Sequence, residues 1–176
     1  MVQYRRNFVA GGTYFFTVAL HDRKKDLLVS HIDLLRTAIR ETRQARPFQI
    51  DAMVVLPEHL HAVWTLPPGD VDYAQRWRSI KSHFSRALAN AGAPVSLGEN
   101  GEYNVWQPRY WEHTIRDDRD LEHHVAYIHY NPVKHRHAAS VIEWPHSSFH
   151  RFVRNGVLPN DWGGSDQEDL QHGYGE

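Results

Sequence analysis

The chain has 176 residues, of which 41% are hydrophobic and 23% are charged, and its formal net charge is −1. This length predicts one domain with its own core, and no apolar run is long enough to cross a membrane. The chain lacks cysteine, which excludes disulfides and thiolate metal sites, and it starts without a signal-peptide pattern, so we expect a cytoplasmic protein.

Charge is distributed unevenly along the chain. Residues 161–176 contain five acidic side chains and no lysine or arginine, so residues 1–160 carry a formal charge of +4. A mildly basic body is compatible with a polyanionic partner without requiring one. The acidic, Gly-rich segment 163–176 has no periodicity, which is typical of a disordered end. The alternative is an autoinhibitory tail that folds back over a basic groove.

The N-terminal segment combines a basic pair with a short strand. Residues 13–20 are aromatic and β-branched and follow Gly11-Gly12, which predicts a buried strand. Arg5 and Arg6 fit a flexible arm that contacts phosphates, and they fit a solvated chain start equally well. The sequence leaves both interpretations of this pair open.

A helix and a second strand are predicted next. Ser30 and Asp33 fit a capping box, apolar residues then recur at helical spacing, and Pro47 ends the helix. Residues 48–56 alternate as a strand whose even-numbered residues share one face.

The strand that begins at His59 carries the first candidate site. Its even-numbered residues are apolar, whereas His59 and His61 lie on the other face. Residues two apart on a strand are about 6.6 Å apart along it, so the two imidazoles can converge on one divalent ion. The alternative is a half-buried strand whose exposed face carries two histidines, and for an isolated His-X-His pair that alternative is the more common one.

A second helix is predicted over residues 71–90. It has an apolar stripe, with Arg78 and Lys81 on its other side. Such a face suits a phosphate backbone and also suits an ordinary solvated helix. The segment 91–103 is rich in Gly, Ala, Pro and Asn, which predicts a flexible loop.

Residues 106–113 are dense in aromatic side chains. We predict a packed loop in which Trp106 and Trp111 fill the core. Arg109 lies between the two indoles in sequence, and aromatic residues interleaved with arginine are typical of surfaces that stack single-stranded bases.

A third helix is predicted from Asp117 to Asn131, where Pro132 ends it. Tyr127 and Asn131 are four residues apart, so they lie one turn apart on one side of this helix. Taken alone, a tyrosine in this position is ordinarily a core or interface aromatic.

Three segments together are more specific than any one of them. They are PEHLH at 57–61, WQPRYWEH at 106–113 and YIHYNPVK at 127–134. In this order they closely resemble the REP-associated tyrosine transposases, which belong to the single-tyrosine HUH nucleases together with the small insertion-sequence transposases. The resemblance covers residues 4–162, and we expect one domain over residues 1–162.

The resemblance implies an α+β fold, a ferredoxin- or RRM-like sandwich with a central antiparallel sheet and helices packed on it. It also implies that His59, His61 and Asn131 bind Mg²⁺ or Mn²⁺, with Asn131 standing where related insertion-sequence enzymes have Gln. Tyr127 would be the nucleophile, which releases a 3′-hydroxyl and forms a 5′-phosphotyrosine.

The implied partner is single-stranded DNA beside REP-type hairpins, with no small-molecule cofactor, and the protein would be a monomer or a homodimer. Two alternatives stay open. The first is a domesticated transposase domain that binds hairpins without cutting them, and the second is an unrelated metal-dependent hydrolase that uses water as its nucleophile. The predicted DNA-contacting residues are Arg5, Arg6, Arg78, Lys81, Arg109 and Lys134.

Overall fold

The centre of the molecule is a four-stranded antiparallel sheet. The structure, a computed structural model, describes residues 6–163. Arg5 and the predicted acidic tail, apart from Gly163, therefore lie outside the described residues. The strands are β1 (Thr13–Ala19), β2 (Gln49–Val55), β3 (His59–Thr65) and β4 (Trp111–Thr114). Their order in the sheet is β2-β3-β1-β4, so the histidine strand occupies a central position.

Helices cover both faces of this sheet, which confirms the α+β sandwich. They are α1 (Leu27–Ser30), α2 (Ile32–Ala45), α3 (Tyr73–Asn90), α4 (Asp118–Lys134) and α5 (Phe149–Arg154). Helices α2 and α3 pack together on one face, whereas α4 lies across β2 and β3 on the other. No helix in the range 6–163 is both long enough and apolar enough to span a membrane.

The larger core lies between the sheet and α3. Trp64 of β3 stacks on Trp77 of α3 with ring centroids 4.1 Å apart, and Phe16 of β1 contacts both rings. All three side chains are fully buried. Aromatic pairs of this kind contribute about 0.5–1.5 kcal/mol beyond the area that they bury, so this face anchors β3 in the sheet.

The second core lies under α4, and it corrects the idea of an exposed histidine face. Phe15, Val63 and Ile128 are buried there, and His59 and His61 have no exposed surface at all. The alternation predicted for β3 is confirmed, but both of its faces are covered because α4 closes over the odd-numbered residues.

Two predicted details of the first half of the chain are wrong. Ser30 ends α1, and α2 begins at Ile32 without a side-chain cap, so Ser30 and Asp33 do not form a capping box. In β2 the pairing register shifts between Ile50 and Ala52. This bulge turns Ile50 toward the α2/α3 core while Ala52 faces α4, because one extra residue reverses the alternation.

Two further predictions fail in the second half. Helix α4 continues past Pro132 to Lys134, although the proline lacks the N–H of one helical hydrogen bond, and its ring is buried in the fold. Residues 111–113, predicted as part of a loop, belong to the edge strand β4, which pairs with β1. Residues 91–103 contain no helix or strand, only an isolated bridge between Leu97 and Tyr103, and their flexibility stays a prediction.

Candidate active site

Two neighbouring side chains orient the histidine pair through contacts with the ring nitrogens. The rings of His59 and His61 are nearly perpendicular, with centroids 4.9 Å apart. Glu58 Oε1 accepts a hydrogen bond from His59 Nδ1 at 2.9 Å, and Thr17 Oγ1 lies 2.8 Å from His61 Nδ1. Thr17 reaches His61 because the two residues are directly opposite in the β1–β3 register. Both imidazoles are therefore oriented through the same ring nitrogen, Nδ1.

Glu58 is a charged orienting group. Burial raises the pKa of this carboxyl, but the hydrogen bond from His59 and the electrostatic interaction with that ring, with smaller contributions from the Glu58 backbone N–H and from Arg23, hold the pKa at about 2. A carboxylate that accepts from Nδ1 places the ring proton there, which leaves Nε2 with the lone pair. His59 Nε2 is buried and has no hydrogen-bond partner among residues 6–163.

Tyr127, on α4, packs against the ring of His61. Its ring is fully buried, with its centroid 5.2 Å from that of His61 and 6.0 Å from that of Phe15. Its hydroxyl accepts a hydrogen bond from Lys134 Nζ at 3.0 Å. The helix thus brings the predicted nucleophile to the predicted ligands from a segment more than 60 residues away in sequence.

Asn131 lies on the same side of α4, one turn beyond Tyr127, and is fully buried. One turn further on, the ring of His135 lies 5.2 Å from that of His59. Because Tyr127 contacts one histidine and His135 contacts the other, the side of the helix that carries Asn131 faces the pair. The sequence analysis did not identify His135 or Thr17 as neighbours of the histidine pair. It also did not identify Glu58 as an orienting carboxylate, although its position next to His59 could have indicated that role.

A second polar cluster joins β4 to the start of α4. Asp120 Oδ2 is 2.8 Å from His113 Nε2, and Asp120 Oδ1 is 3.1 Å from His124 Nδ1. The ligand atoms of the three residues lie within 4.8 Å of one another, so this group could hold a divalent cation. His124 also packs against Phe15, with ring centroids 4.8 Å apart, and Phe15 contacts Tyr127, so the cluster supports the wall of the candidate site.

Asp120→Asn is expected to lower stability in a pH-dependent way. Burial raises the pKa of Asp120, but hydrogen bonds from His113 and from the Arg116 backbone N–H hold it at about 2. A lowered pKa stabilises the fold above the unfolded-state value of about 4 and loses this effect as the pH falls toward 2. The substitution should therefore cost about 2 kcal/mol at pH 7.

Urea denaturation at pH 7 and near pH 2.5 tests this expectation. The exposed Asp118, also in the first turn of α4, supplies the control Asp118→Asn, which should lose much less stability at pH 7. An equal loss for Asp120→Asn at both pH values would show that the charge of Asp120 is not what stabilises the helix start.

The predicted DNA-contacting residues fall into two separate places. Lys134 belongs to the candidate active site, whereas Arg6, Arg78 and Lys81 line a groove of about 590 Å³ against α3. Because α3 packs on the opposite face of the sheet from α4, this basic groove and Tyr127 lie on opposite sides of the sheet. Arg109 is exposed in the loop that forms one wall of the groove.

Aromatic rings line the basic groove beside its cations. Arg6 lies 4.7 Å and Lys81 5.3 Å from the ring centroid of Tyr110. Lys81 Nζ donates to the Gln107 carbonyl at 2.9 Å. Burial, with a smaller effect from the charge of Arg6, lowers the pKa of Lys81 to about 8, so this lysine remains mostly charged at pH 7.

Two histidines on the central strand of an antiparallel sheet, facing a buried helical tyrosine, fit the single-tyrosine HUH transposases that the sequence resembles. The family described as "Transposase IS200 like" matches residues 9–131. The REP-associated tyrosine transposase of Escherichia coli is 49% identical over 164 residues, which cover 93% of this chain and 92% of that protein. This chain belongs to the IS200-like transposase family.

Two further comparisons agree with this assignment. A Haemophilus influenzae relative named "Putative REP-associated tyrosine transposase" is 44% identical over 167 residues, which cover 94% of this chain and 95% of the relative. A solved structure of a REP-associated tyrosine transposase bound to a REP hairpin has a TM-score of 0.86 and 46% identity. That similarity covers 100% of this chain and 98% of the solved one.

Proposed function

We propose that this protein is a metal-dependent single-stranded DNA endonuclease and transposase that recognises REP-type hairpins. It cleaves and rejoins DNA through a 5′-phosphotyrosine at Tyr127. The observation that carries this proposal is the burial of Tyr127 with its ring 5.2 Å from that of His61. The solved relative bound to a REP hairpin supports the choice of DNA partner.

The residues present fit a divalent metal, with His59, His61 and Asn131 as the proposed ligands. The Nδ1 atoms of both rings contact Glu58 or Thr17, the arrangement that orients imidazoles for ligation through Nε2. Two imidazoles favour Mn²⁺ over Mg²⁺, which prefers oxygen ligands. When bound, the ion would supply Lewis-acid polarisation of the scissile phosphate.

The chemical step that we assign to Tyr127 is a transesterification. The phenolic oxygen forms a bond to phosphorus, the bond from phosphorus to the 3′-oxygen breaks, and the 3′-oxygen leaves as a hydroxyl. One phosphodiester replaces another, so a second 3′-hydroxyl can reverse the step and join new ends without ATP. The buried ring is held between β1, β3 and the body of α4, which fixes the direction of attack.

A labelled REP-type hairpin with single-stranded flanks tests the proposal. We expect nicking that requires Mn²⁺ or Mg²⁺ and a protein–DNA adduct that survives SDS. Hairpin binding without cleavage would indicate a domesticated binding protein instead. Cleavage without an adduct would indicate a hydrolase that uses water as its nucleophile.

The basic groove on the α3 side is proposed to bind the DNA backbone. Arg78→Glu and Arg109→Glu should each weaken hairpin binding and flatten the plot of log affinity against log salt by about one unit per lost phosphate contact. Both side chains are exposed, so these changes should leave the fold intact. Arg5, which lies outside the described residues, and Arg6 are proposed to act in the same way.

Binding measured between low and moderate salt decides which residues contact phosphate. Arg40 of α2 is also exposed and does not line the groove, so Arg40→Glu is the control and should leave the slope unchanged. An unchanged slope for Arg78→Glu would exclude that side chain from phosphate contact.

A further inference from the structure

The side chain of Lys134 contacts the hydroxyl of Tyr127. Its Nζ atom donates a hydrogen bond to the Tyr127 hydroxyl at 3.0 Å and lies 4.8 Å from the centroid of the ring. The two residues are seven apart on α4, which is two turns, so they share one side of the helix. The ammonium group therefore touches the oxygen that would react.

We propose that Lys134 is a catalytic residue that stabilises negative charge on the Tyr127 oxygen in both directions of the reaction. This inference rests on the proposed function of Tyr127 as nucleophile, and it replaces the sequence-based assignment of Lys134 to DNA contact. Hydrogen bonds between a charged donor and an oxygen that gains negative charge are strong, and burial strengthens them further.

The assignment follows from where charge develops. In cleavage the Tyr127 oxygen bonds to phosphorus, the bond to the 3′-oxygen breaks, the phenolic proton passes to solvent, and the 3′-oxygen takes a proton from solvent. In rejoining, the phenolic oxygen is the leaving group and carries the charge again. A donor fixed 3.0 Å from this oxygen acts on both steps, because one transition state is crossed in either direction.

A lysine that only contacted phosphate would behave differently from one that acts on the phenol. The loss of a phosphate contact weakens DNA binding and lowers its salt dependence. The loss of a donor to the reacting oxygen lowers the rate on bound DNA and leaves affinity almost unchanged. Nicking rate at saturating protein and hairpin affinity therefore separate the two roles.

The closing experiment compares wild type, Lys134→Met, Lys134→Arg and the control Arg119→Met by single-turnover nicking of the labelled hairpin with Mn²⁺. Arg119 is an exposed residue on the same helix. We expect Lys134→Met to nick about a hundredfold more slowly, to rejoin more slowly by the same factor, and to bind the hairpin with wild-type affinity and salt slope. Lys134→Arg should recover much of the rate, and Arg119→Met should match wild type.

Chemical rescue adds a second readout. Lys134→Ala should regain nicking when a small primary alkylamine is added, because the amine can occupy the place of the Nζ group. Wild-type rates for Lys134→Met, or a loss confined to affinity and salt slope, would overturn the inference about Lys134 alone. Failure of the wild-type protein to form any adduct would instead overturn the proposed function.

Discussion

Tyr127→Phe is expected to abolish both nicking and the SDS-stable adduct while leaving hairpin binding close to the wild-type level. The substitution removes the oxygen proposed as the nucleophile, while the ring keeps its contacts with His61 and Phe15. The lost hydrogen bond with Lys134 costs about 1 kcal/mol of stability. The variant should thus stay folded and fall to the uncatalysed background rate.

Tyr130 supplies the matched control, because it lies on the same helix and is only partly buried. Tyr130→Phe should nick and form the adduct at rates close to wild type. The opposite pattern, with activity kept in Tyr127→Phe and lost in Tyr130→Phe, would assign the nucleophile to Tyr130. The adduct assay on the two variants with one hairpin is therefore decisive.

Replacement of either histidine is the second change with a large expected effect. His59→Leu and His61→Leu should each lose cleavage in Mn²⁺ and in Mg²⁺, because each removes one of the proposed imidazole ligands without supplying another ligand atom. Leucine is preferable to alanine here because both rings are fully buried, and an alanine would leave a cavity that costs about 2–4 kcal/mol. Hairpin affinity and melting temperature report whether the variants stay folded.

Metal removal from the wild-type protein gives the corresponding control without mutation. EDTA should stop cleavage, and added Mn²⁺ should restore it, with little change in melting temperature. A large fall in melting temperature on chelation would instead show that the ion is part of the folded structure. Cleavage that continued in EDTA would contradict a metal-dependent step altogether.

The local periodicity of the chain was enough to predict the elements that build the site. The alternation of residues 59–66 placed Trp64 on one face of β3 and both histidines on the other, and the structure confirms this. The apolar stripe of α3 and the start of α4 at Asp117 are also as predicted. These features depend only on neighbours within a turn or a few residues, so the sequence contains them directly.

Predictions failed where distant contacts override local preference. The bulge that separates Ile50 from Ala52 and the continuation of α4 past Pro132 both break a local rule. In β2, packing against the rest of the fold offsets the irregular strand pairing at the bulge. In α4, packing of the buried Pro132 offsets the helical hydrogen bond that the proline cannot make. Periodicity along one segment carries no information about such compensation.

Only the tertiary structure decided which basic residues lie on the same face of the sheet as Tyr127. Arg78, Lys81 and Lys134 were each predicted to contact DNA, and the structure places their helices, α3 and α4, on opposite faces of the sheet. Lys134 contacts the Tyr127 hydroxyl, and the other two line the groove across the sheet. An amphipathic helix specifies its own buried stripe, but either face of a sheet can receive that stripe. The choice between the two faces therefore depends on how the whole chain is connected and packed.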